Sequence, residues 1–397
     1  MKKKVCMLLS YLPFLDARIF ECETKSLVKH GYEVTIIAPR KNRFLHDIDG
    51  KPFTDRFREK VFKYQGVKVV TYDSERRSDK PILDPLYQLG MKENADFYHA
   101  HELSSLHLGK ELKVALNKRR GKNVKLIYDS RQLTPDPFSK NLKEAEKQKW
   151  QKMLHESLKE TDYTITVSDS IKAWYLSFNP MLPVEVIYSS PPLATSFQVK
   201  GQNKSRLAIA YEGNVSKETL QKIYAITDSC RKVSDFHFKV VGGLRYGETM
   251  SIPNHLQNNM INSGWINYHA LPTVLSDVDI GLIDLDSTHS LNNAFSMPGK
   301  LFSFLNNGIP VVVNDCSDLK KFVNTYECGI VINKQNPTPA EYVKGIIHLY
   351  QNKSKLRQMS LNARKVMEEA YSWEHMEKRL IAIYKSLDSS QTPYLLT

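Results

Sequence analysis

Short apolar segments alternate with segments of helical periodicity along almost the whole chain, and this alternation most constrains the fold. Parallel strands need crossover helices between them, and both faces of a parallel sheet are then covered. The chain is therefore predicted to form two doubly wound parallel α/β sheets, each with its sites at the carboxyl ends of its strands. The predicted strands are 4–10, 33–38, 67–72, 96–100, 124–129, 163–167 and 184–188, then 207–211, 236–241, 264–267, 278–283, 309–313 and 328–332.

The length of 397 residues exceeds that of one ordinary domain and suits two. A linker-like segment, 191–204, separates a predicted first domain (1–190) from a second (205–371). An amphipathic helix at 372–388 is predicted to cross back to the first domain, and residues 389–397 are predicted to be a tail. Two such domains facing a central cleft would place the active site in that cleft. The predicted helices are 19–30, 103–118, 141–160, one from 216, 338–351 and 354–370, and residues 40–65 are predicted to be a loop.

The net charge of +13 lies mostly in the first half. Residues 1–200 contain 35 Lys and Arg against 25 Asp and Glu, whereas residues 201–397 contain 21 against 18. Basic runs at 40–43 and 118–125 favour an anionic membrane face or an anionic polymer as a partner, although a basic surface kept for solubility explains them equally well. Without zinc-finger spacing or an aromatic–glycine RNA-binding signature, no nucleic-acid partner is expected.

Three features favour a cytoplasmic protein. No apolar run is long enough to span a bilayer. The basic start followed by an apolar run imitates a signal peptide, but charged residues follow directly, so a first buried strand is the better interpretation. The five cysteines are scattered and odd in number, which suggests a reducing compartment without a disulfide framework.

The segment 296–314 combines the signals of an anion site. Pro298 suits the first turn of a helix, and Gly308 is placed to end it. The free N–H groups of a helix start beside a strand end bind anions, and Lys300 adds a positive charge there. An ordinary helix–strand unit explains the pattern equally well. Three residues spaced i, i+3 and i+4 would form the buried face of the helix: Leu301, Phe304 and Leu305.

Four motifs follow one another in a fixed order. They are Asp16-Ala-Arg18-Ile19, Tyr98-His-Ala-His-Glu102, Tyr128-Asp-Ser-Arg-Gln-Leu133, and Pro298-Gly-Lys-Leu-Phe-Ser-Phe304 with its following turn Gly308-Ile-Pro-Val311. Together they resemble the retaining glycosyltransferases of the GT-B fold, family 4 group, over nearly the whole chain. The resemblance implies two Rossmann-like domains, a nucleotide-sugar donor linked to UDP or GDP, and neither a metal nor a cofactor.

The resemblance also assigns roles to individual residues. On the donor side it implies binding by Gly213, Asn214, Lys217, Pro298, Gly299, Lys300, Leu301 and Ser303. On the acceptor side it implies Asp16 and Arg18, and as catalytic candidates His101, Glu102 and Arg131. His101 is expected to face the cleft while His99 packs inside. Glu102 and Asp129 lie at strand ends, where capping the next helix is an equally good interpretation.

Some positions depart from the family pattern. Its two Glu residues, eight positions apart, correspond here to Phe295 and Ser303, its His corresponds to Arg131, and the Arg after Gly213 corresponds to Asn214. Two hypotheses follow. The chain is a retaining hexosyltransferase that modifies a cell-surface polysaccharide, a lipid-linked glycan or a glycoprotein at the inner face of the plasma membrane. Alternatively, it is an inactive homologue that binds an acceptor or a partner glycosyltransferase subunit.

Two metal-site interpretations are weaker. Asp284-Leu-Asp286 has the form of an Asp-x-Asp motif, but loop carboxylates are common at such a place. His99, His101 and His107 could hold a metal only if the first two faced the cleft together.

Overall fold

The computed structural model describes residues 2–120, 123–140, 142–201, 206–233 and 235–388, and the chain divides into two compact units. Unit 1 consists of Met1–Ile187 and Met376–Thr397, and unit 2 of Tyr188–His375. The predicted tail 389–397 lies outside the described residues, as do parts of the predicted linker 191–204 and of the basic run 118–125.

The strands of unit 1 form one sheet. They are β1 (Lys4–Leu9), β2 (Glu33–Arg40), β3 (Val61–Tyr64), β4 (Val67–Asp73), β5 (Phe97–His101), β6 (Lys125–Ser130), β7 (Tyr163–Thr166) and β8 (Val184–Val186). The strand order is β3-β4-β2-β1-β5-β6-β7-β8, and every pairing is parallel except the antiparallel pair β3–β4. The prediction of a buried first strand is confirmed, since Val5 to Leu9 are all buried. The order reverses direction between β1 and β5, which makes that gap the switch point of the sheet.

In the first stretch of unit 1, Met1–Ile187, the α-helices are α1 (Lys25–Lys29), α2 (Pro85–Glu93), α3 (Leu103–Arg120), α4 (Glu144–Leu158) and α5 (Asp169–Phe178). A π-helical segment, Ala17–Thr24, precedes α1, so the helix predicted at 19–30 is wider at its start than an α-helix. Residues 40–65 are not all loop, because β3 lies within them. This edge strand alternates between exposed and half-buried residues and therefore carries no strong apolar signal.

The strands of unit 2 form a second, fully parallel sheet. They are β9 (Leu207–Asn214), β10 (Phe236–Gly243), β11 (Met260–Gly264), β12 (Ile280–Ile283), β13 (Val311–Asn314) and β14 (Gly329–Ile332). The order is β11-β10-β9-β12-β13-β14, which places the switch point between β9 and β12. The strand predicted at 264–267 is wrong in position, since β11 ends at Gly264, where that prediction begins. This edge strand is polar and therefore lacks the apolar pattern by which strands are predicted.

The helices of unit 2 are α6 (Lys217–Cys230), α7 (Leu271–Leu275), α8 (Leu291–Ala294), α9 (Gly299–Asn306), α10 (Ser317–Tyr326), α11 (Pro339–Gln351) and α12 (Lys353–Val366). The prediction for α9 is confirmed. Pro298 is its N-cap, and Gly308 follows its C-terminal end with φ +62°. The predicted apolar face, made by Leu301, Phe304 and Leu305, has no solvent exposure.

A final helix, α13 (Trp373–Asp388), begins in unit 2, and from Met376 onward its residues belong to unit 1. Tyr384 is fully buried there, with its hydroxyl 2.9 Å from Nδ1 of His99. Glu377 forms an ion pair with Lys29 at 2.8 Å. The last helix is therefore an integral part of the packing of unit 1.

Among the described residues, no helix has both the length and the apolar character that crossing a bilayer requires. All five cysteines are buried free thiols.

Strands β9 and β10 approach each other closely at their carboxyl ends. Gly242 pairs with Gly213, and a Cβ atom on Gly242 would overlap the backbone oxygen of Gly213. Both residues have positive φ angles, +98° for Gly213 and +122° for Gly242. Only glycine allows this approach, since it has no Cβ and adopts positive φ without strain.

We expect Gly242→Ala to lower the free energy of unfolding of unit 2 by about 3 kcal/mol, because backbone strain adds to a clash that no side-chain movement relieves. Gly247→Ala is the matched control: Gly247 has φ +78°, and a Cβ there would meet nothing within 4 Å. The control should cost about 1–2 kcal/mol, from strain alone. Urea unfolding checks both values, and equal losses in the two variants would contradict the proposed clash.

Candidate functional site

The carboxyl edge of the sheet in unit 2 gathers most of the predicted donor residues. The turn at Gly213 ends β9 at the switch point, where ligands of such sheets bind. Lys300 reaches the same place from α9: a Cβ on Gly213 would lie 3.8 Å from its Nζ. The ammonium group of Lys300 is therefore next to the end of β9.

The N-terminus of α9 has the properties of an anion site. Pro298, the N-cap, has no side-chain group that could accept a hydrogen bond from the first turn. The N–H groups at Gly299 and Lys300 have no acceptor within the helix. The helix dipole adds partial positive charge at this end.

The side chain of Lys300 is held by an aromatic ring. Its Nζ lies 3.9 Å from the centroid of Tyr211, a buried residue of β9. A cation over an aromatic face is stabilised without an ion pair, so its charge stays available to an anion. The ring therefore positions the ammonium group close to the start of α9.

A carboxyl group that the sequence analysis did not single out lies beside Lys300. Glu212 precedes Gly213 in β9, and its buried Oε2 has no hydrogen-bond partner among the described residues. Burial raises the pKa of Glu212, whereas the nearby ammonium group of Lys300 and hydroxyl of Ser303 lower it. A glutamate at the end of an otherwise apolar strand was the available signal. Its partner in α9 could not be foreseen without the fold.

The remaining predicted donor residues lie at the rim of this edge or within α9. Lys217 is exposed at the start of α6 and pairs with Glu248 at 3.3 Å. Asn214 is exposed, and Leu301 is fully buried in the core. Ser303 is also buried, and its hydroxyl lies 3.4 Å from the carbonyl of Gly299. Ser303 also lies near enough to the Glu212 carboxyl to lower its pKa.

The two carboxylates of Asp284-Leu-Asp286 have other partners. Asp284 accepts a hydrogen bond from Tyr342 at 2.6 Å and pairs with Lys222 at 2.7 Å. Asp286 accepts hydrogen bonds from the backbone N–H and the hydroxyl of Thr288. These contacts explain the acidic pair as a means of stabilising the loop and the adjoining helices, and they do not favour the metal interpretation.

The switch point of unit 1 also holds a glutamate. Glu102 follows β5 with φ +75°, and its Oε2 accepts hydrogen bonds from the N–H groups of Ser10 (3.1 Å) and Tyr11 (3.4 Å), just after β1. The other oxygen, Oε1, is buried and has no hydrogen-bond partner among the described residues. Burial raises the pKa of Glu102 to about 8, although the two N–H groups act to lower it. A carboxyl with this pKa can give or take a proton near neutral pH.

Asp16 and Arg131 form an ion pair of 3.0 Å in unit 1. Asp16 is also the N-cap of the π-helical segment and accepts hydrogen bonds from the N–H groups of Arg18 and Ile19. Its carboxylate is therefore used for structure as well as for holding Arg131. Arg131 lacks the proton-accepting capacity of a histidine at this position.

A fully buried charge network lies below this edge, and it includes two residues predicted to act in the site. Arg18 binds Asp129 through two hydrogen bonds, of 2.8 and 3.1 Å, and Glu23 at 3.0 Å. Arg18 and Glu23 are five residues apart and share a face of the wide π-helical turn. The prediction that His101 faces outward while His99 packs inside is wrong: both rings are buried on one face of β5 and stack 4.6 Å apart.

The protonation states in this network follow from burial. Arg18 and His101 hold the pKa of Asp129 well below its usual range, although burial acts to raise it. Burial raises the pKa of Glu23 and lowers those of His99 and His101.

One ligand atom from each of Glu23, His99, His101 and Asp129 lies within 4.8 Å of the others, which raises the question of a metal ion. The imidazole planes differ by only 13°, so a cation in the plane of one stacked ring lies outside the plane of the other. Both oxygens of Asp129 already accept hydrogen bonds from Arg18. The arrangement fits a charge network better than a metal centre.

The comparisons with known proteins agree with this architecture. Residues 221–382 match a family model described as glycosyl transferase-like. No curated protein has a significantly similar sequence.

Among solved structures, sucrose-phosphate synthase from Thermosynechococcus elongatus is 13% identical with a TM-score of 0.68, and the match covers 98% of this chain and 100% of that one. Anabaena HepE in complex with UDP-glucose is 11% identical with a TM-score of 0.68, covering 97% and 100%. A glycosyltransferase from Rickettsia africae is 13% identical with a TM-score of 0.63, covering 98% and 100%.

We expect Arg18→Met to lower the free energy of unfolding of unit 1 by about 3–5 kcal/mol, because it leaves Asp129 buried without its cation. Lys365→Met is the control, since Lys365 and Glu369 form an exposed pair at 3.7 Å whose loss costs at most about 1 kcal/mol. Chemical unfolding of both variants checks the difference, and a tolerated Arg18→Met change would contradict the network.

Glu102→Gln should gain stability relative to the wild type as the pH rises. The folded pKa of Glu102, about 8, exceeds the ordinary value of 4.5, so its contribution is complete below pH 4.5 and is lost as the pH rises towards 8. The difference between the two proteins should grow by at most about 1.4 kcal/mol per pH unit in that interval. Urea unfolding at pH 5 and pH 8 measures it, and parallel pH profiles would contradict the assignment.

The fold and the family match agree: residues 221–382 match a model described as glycosyl transferase-like, and the two parallel-sheet units of the chain have the GT-B fold.

Proposed function

We propose that the protein is a retaining hexosyltransferase that uses a nucleotide sugar as its donor. The observation that carries the proposal is the donor-side arrangement in unit 2, where the Gly213 turn, the uncapped start of α9 and Lys300 meet at the switch point of the sheet. A diphosphate is the anion that this arrangement suits, because both N–H groups and an ammonium group are close by.

The same groups supply the chemistry that the transfer requires. The leaving group is a nucleoside diphosphate, and negative charge develops on it as the bond to the sugar breaks. Donors that are already in place stabilise this charge without further reorganisation. In this proposal, Lys300 and the first turn of α9 bind the diphosphate and stabilise it as it leaves.

UDP is the nucleotide we propose. Anabaena HepE, which shares the fold at 11% identity, was solved in complex with UDP-glucose. Since the fold alone does not select a base, GDP is the alternative to be compared in the same experiment.

We place the acceptor on unit 1, near Glu102 and the Asp16–Arg131 pair. Glu102 has a free buried oxygen and a pKa of about 8, which suits a group that accepts a proton from an acceptor hydroxyl. The excess of Lys and Arg over Asp and Glu in residues 1–200 favours an anionic acceptor or an anionic membrane face. The acceptor class proposed is a cell-surface polysaccharide, a lipid-linked glycan or a glycoprotein.

An inactive homologue, which binds an acceptor or a partner subunit, is the second candidate. The half-buried Phe295 favours it, because its ring can neither accept a hydrogen bond from a sugar hydroxyl as a carboxylate does nor transfer a proton. Nucleotide binding without turnover of any donor is the expected behaviour of such a protein.

Lys300→Ala should weaken UDP binding by about tenfold to a hundredfold, because one charge-assisted contact to the diphosphate is lost. Calorimetry with UDP and GDP measures the affinity, and release of nucleotide from a panel of donors measures turnover. Lys321→Ala, which removes an exposed lysine of α10, is the control and should bind as the wild type does.

The outcomes separate the two candidates. Wild-type turnover that Lys300→Ala abolishes would contradict the inactive homologue. The absence of UDP and GDP binding by the wild type would contradict the enzyme.

A further inference from the structure

The carboxyl group of Glu212 has a free acceptor at the proposed donor site. Its Oε2 is buried, and no described residue donates a hydrogen bond to it. Leaving a buried carboxyl oxygen unpaired costs free energy, so such an atom is uncommon unless a ligand or a solvent molecule satisfies it. The unpaired atom lies in the strand that ends at the Gly213 turn, beside the start of α9.

The surroundings of this carboxyl group select the kind of ligand. Lys300 and the hydroxyl of Ser303 both lie close enough to this carboxyl group to lower its pKa, and Lys300 forms no ion pair with it. A carboxylate only accepts hydrogen bonds and repels phosphate oxygens, so its natural partners are hydroxyl groups. Two adjacent hydroxyls on a sugar ring suit the two oxygens of one carboxylate.

The position along α9 locates those hydroxyls relative to the diphosphate. Ser303 lies one helical turn beyond Gly299, where the free N–H groups are. The carboxyl group near Ser303 therefore lies about one turn of α9 away from the anion site, with Lys300 in between. Groups that flank a diphosphate at such a distance are the sugar rings of the nucleotide sugar.

We propose that Glu212 binds a vicinal pair of hydroxyl groups next to the diphosphate, those of the ribose or those of the transferred hexose. The inference rests on the proposed function, since it requires a nucleotide at the start of α9. In this arrangement β9 supplies the carboxylate, and Ser303 of α9 lies close to it. A neutral, short residue at position 303 is thus compatible with a hydroxyl-binding site.

The test compares UDP with 2′,3′-dideoxy-UDP by calorimetry on the wild type and on Glu212→Gln. The wild type should prefer UDP by about tenfold or more, and Glu212→Gln should bind both within about twofold. Removing the negative charge of Glu212 changes the interaction with the diphosphate equally for both nucleotides. The ratio of the two affinities therefore reports only the contact with the hydroxyl groups. If the wild type binds GDP rather than UDP, the same comparison is made with GDP and its 2′,3′-dideoxy analogue.

A second comparison identifies which ring carries the hydroxyls. If Glu212→Gln keeps the preference for UDP over its dideoxy analogue but loses affinity for UDP-glucose relative to UDP, the hydroxyls belong to the transferred sugar. Glu369→Gln, an exposed residue paired with Lys365, is the control and should retain both ratios. If both affinity ratios, UDP to its dideoxy analogue and UDP-glucose to UDP, are the same in Glu212→Gln as in the wild type, the inference is overturned and the proposed function is left intact. If the wild type binds no nucleotide, both are overturned.

Discussion

The close approach of β9 and β10 at Gly213 and Gly242 is the constraint on which the donor side of this protein depends. The strands can come this near only because position 242 carries no Cβ, and both glycines adopt φ angles that other residues avoid. Lys300, held by the ring of Tyr211, lies next to this strand end, and Glu212 belongs to the strand itself.

The two units use their switch points in similar ways. In each, a glutamate lies where the strand order reverses, at Glu102 in unit 1 and Glu212 in unit 2. In each, one carboxyl oxygen is buried and unpaired among the described residues, and burial raises the pKa of the group. The shared geometry follows from the fold, because side chains at the carboxyl ends of central strands meet in the gap between diverging crossovers. The environments differ: Glu102 accepts hydrogen bonds from backbone N–H groups, whereas Glu212 has a lysine and a serine near it.

The sequence predicts the repeated α/β plan and the frame of α9, because both depend on local signals such as apolar periodicity, a proline at a helix start and a glycine at its end. Local signals do not predict the buried network around Arg18, since it joins side chains from the π-helical segment, β5 and β6. His101 is an example of a residue whose environment depends on distant elements. Alternation along a strand places His99 and His101 on one face, but whether that face meets solvent or protein depends on what packs above it.

Glu212 was missed for a related reason. Its nearness to Lys300 and Ser303, which lie far along the chain in α9, depends on the fold, and no local pattern of the sequence predicts it. The edge strand β3 was missed because its few residues alternate only weakly between exposed and half-buried positions.

The backbone conformation of Glu102 has a consequence for the stability of unit 1. A left-handed φ costs a side-chain-bearing residue about 1–2 kcal/mol that a glycine would not lose. A chain optimised for folding alone would do better with glycine after β5, and it would also avoid a buried carboxyl with an unpaired oxygen. Because both costs fall at one position, unit 1 gives up stability at Glu102 that a glycine there would recover.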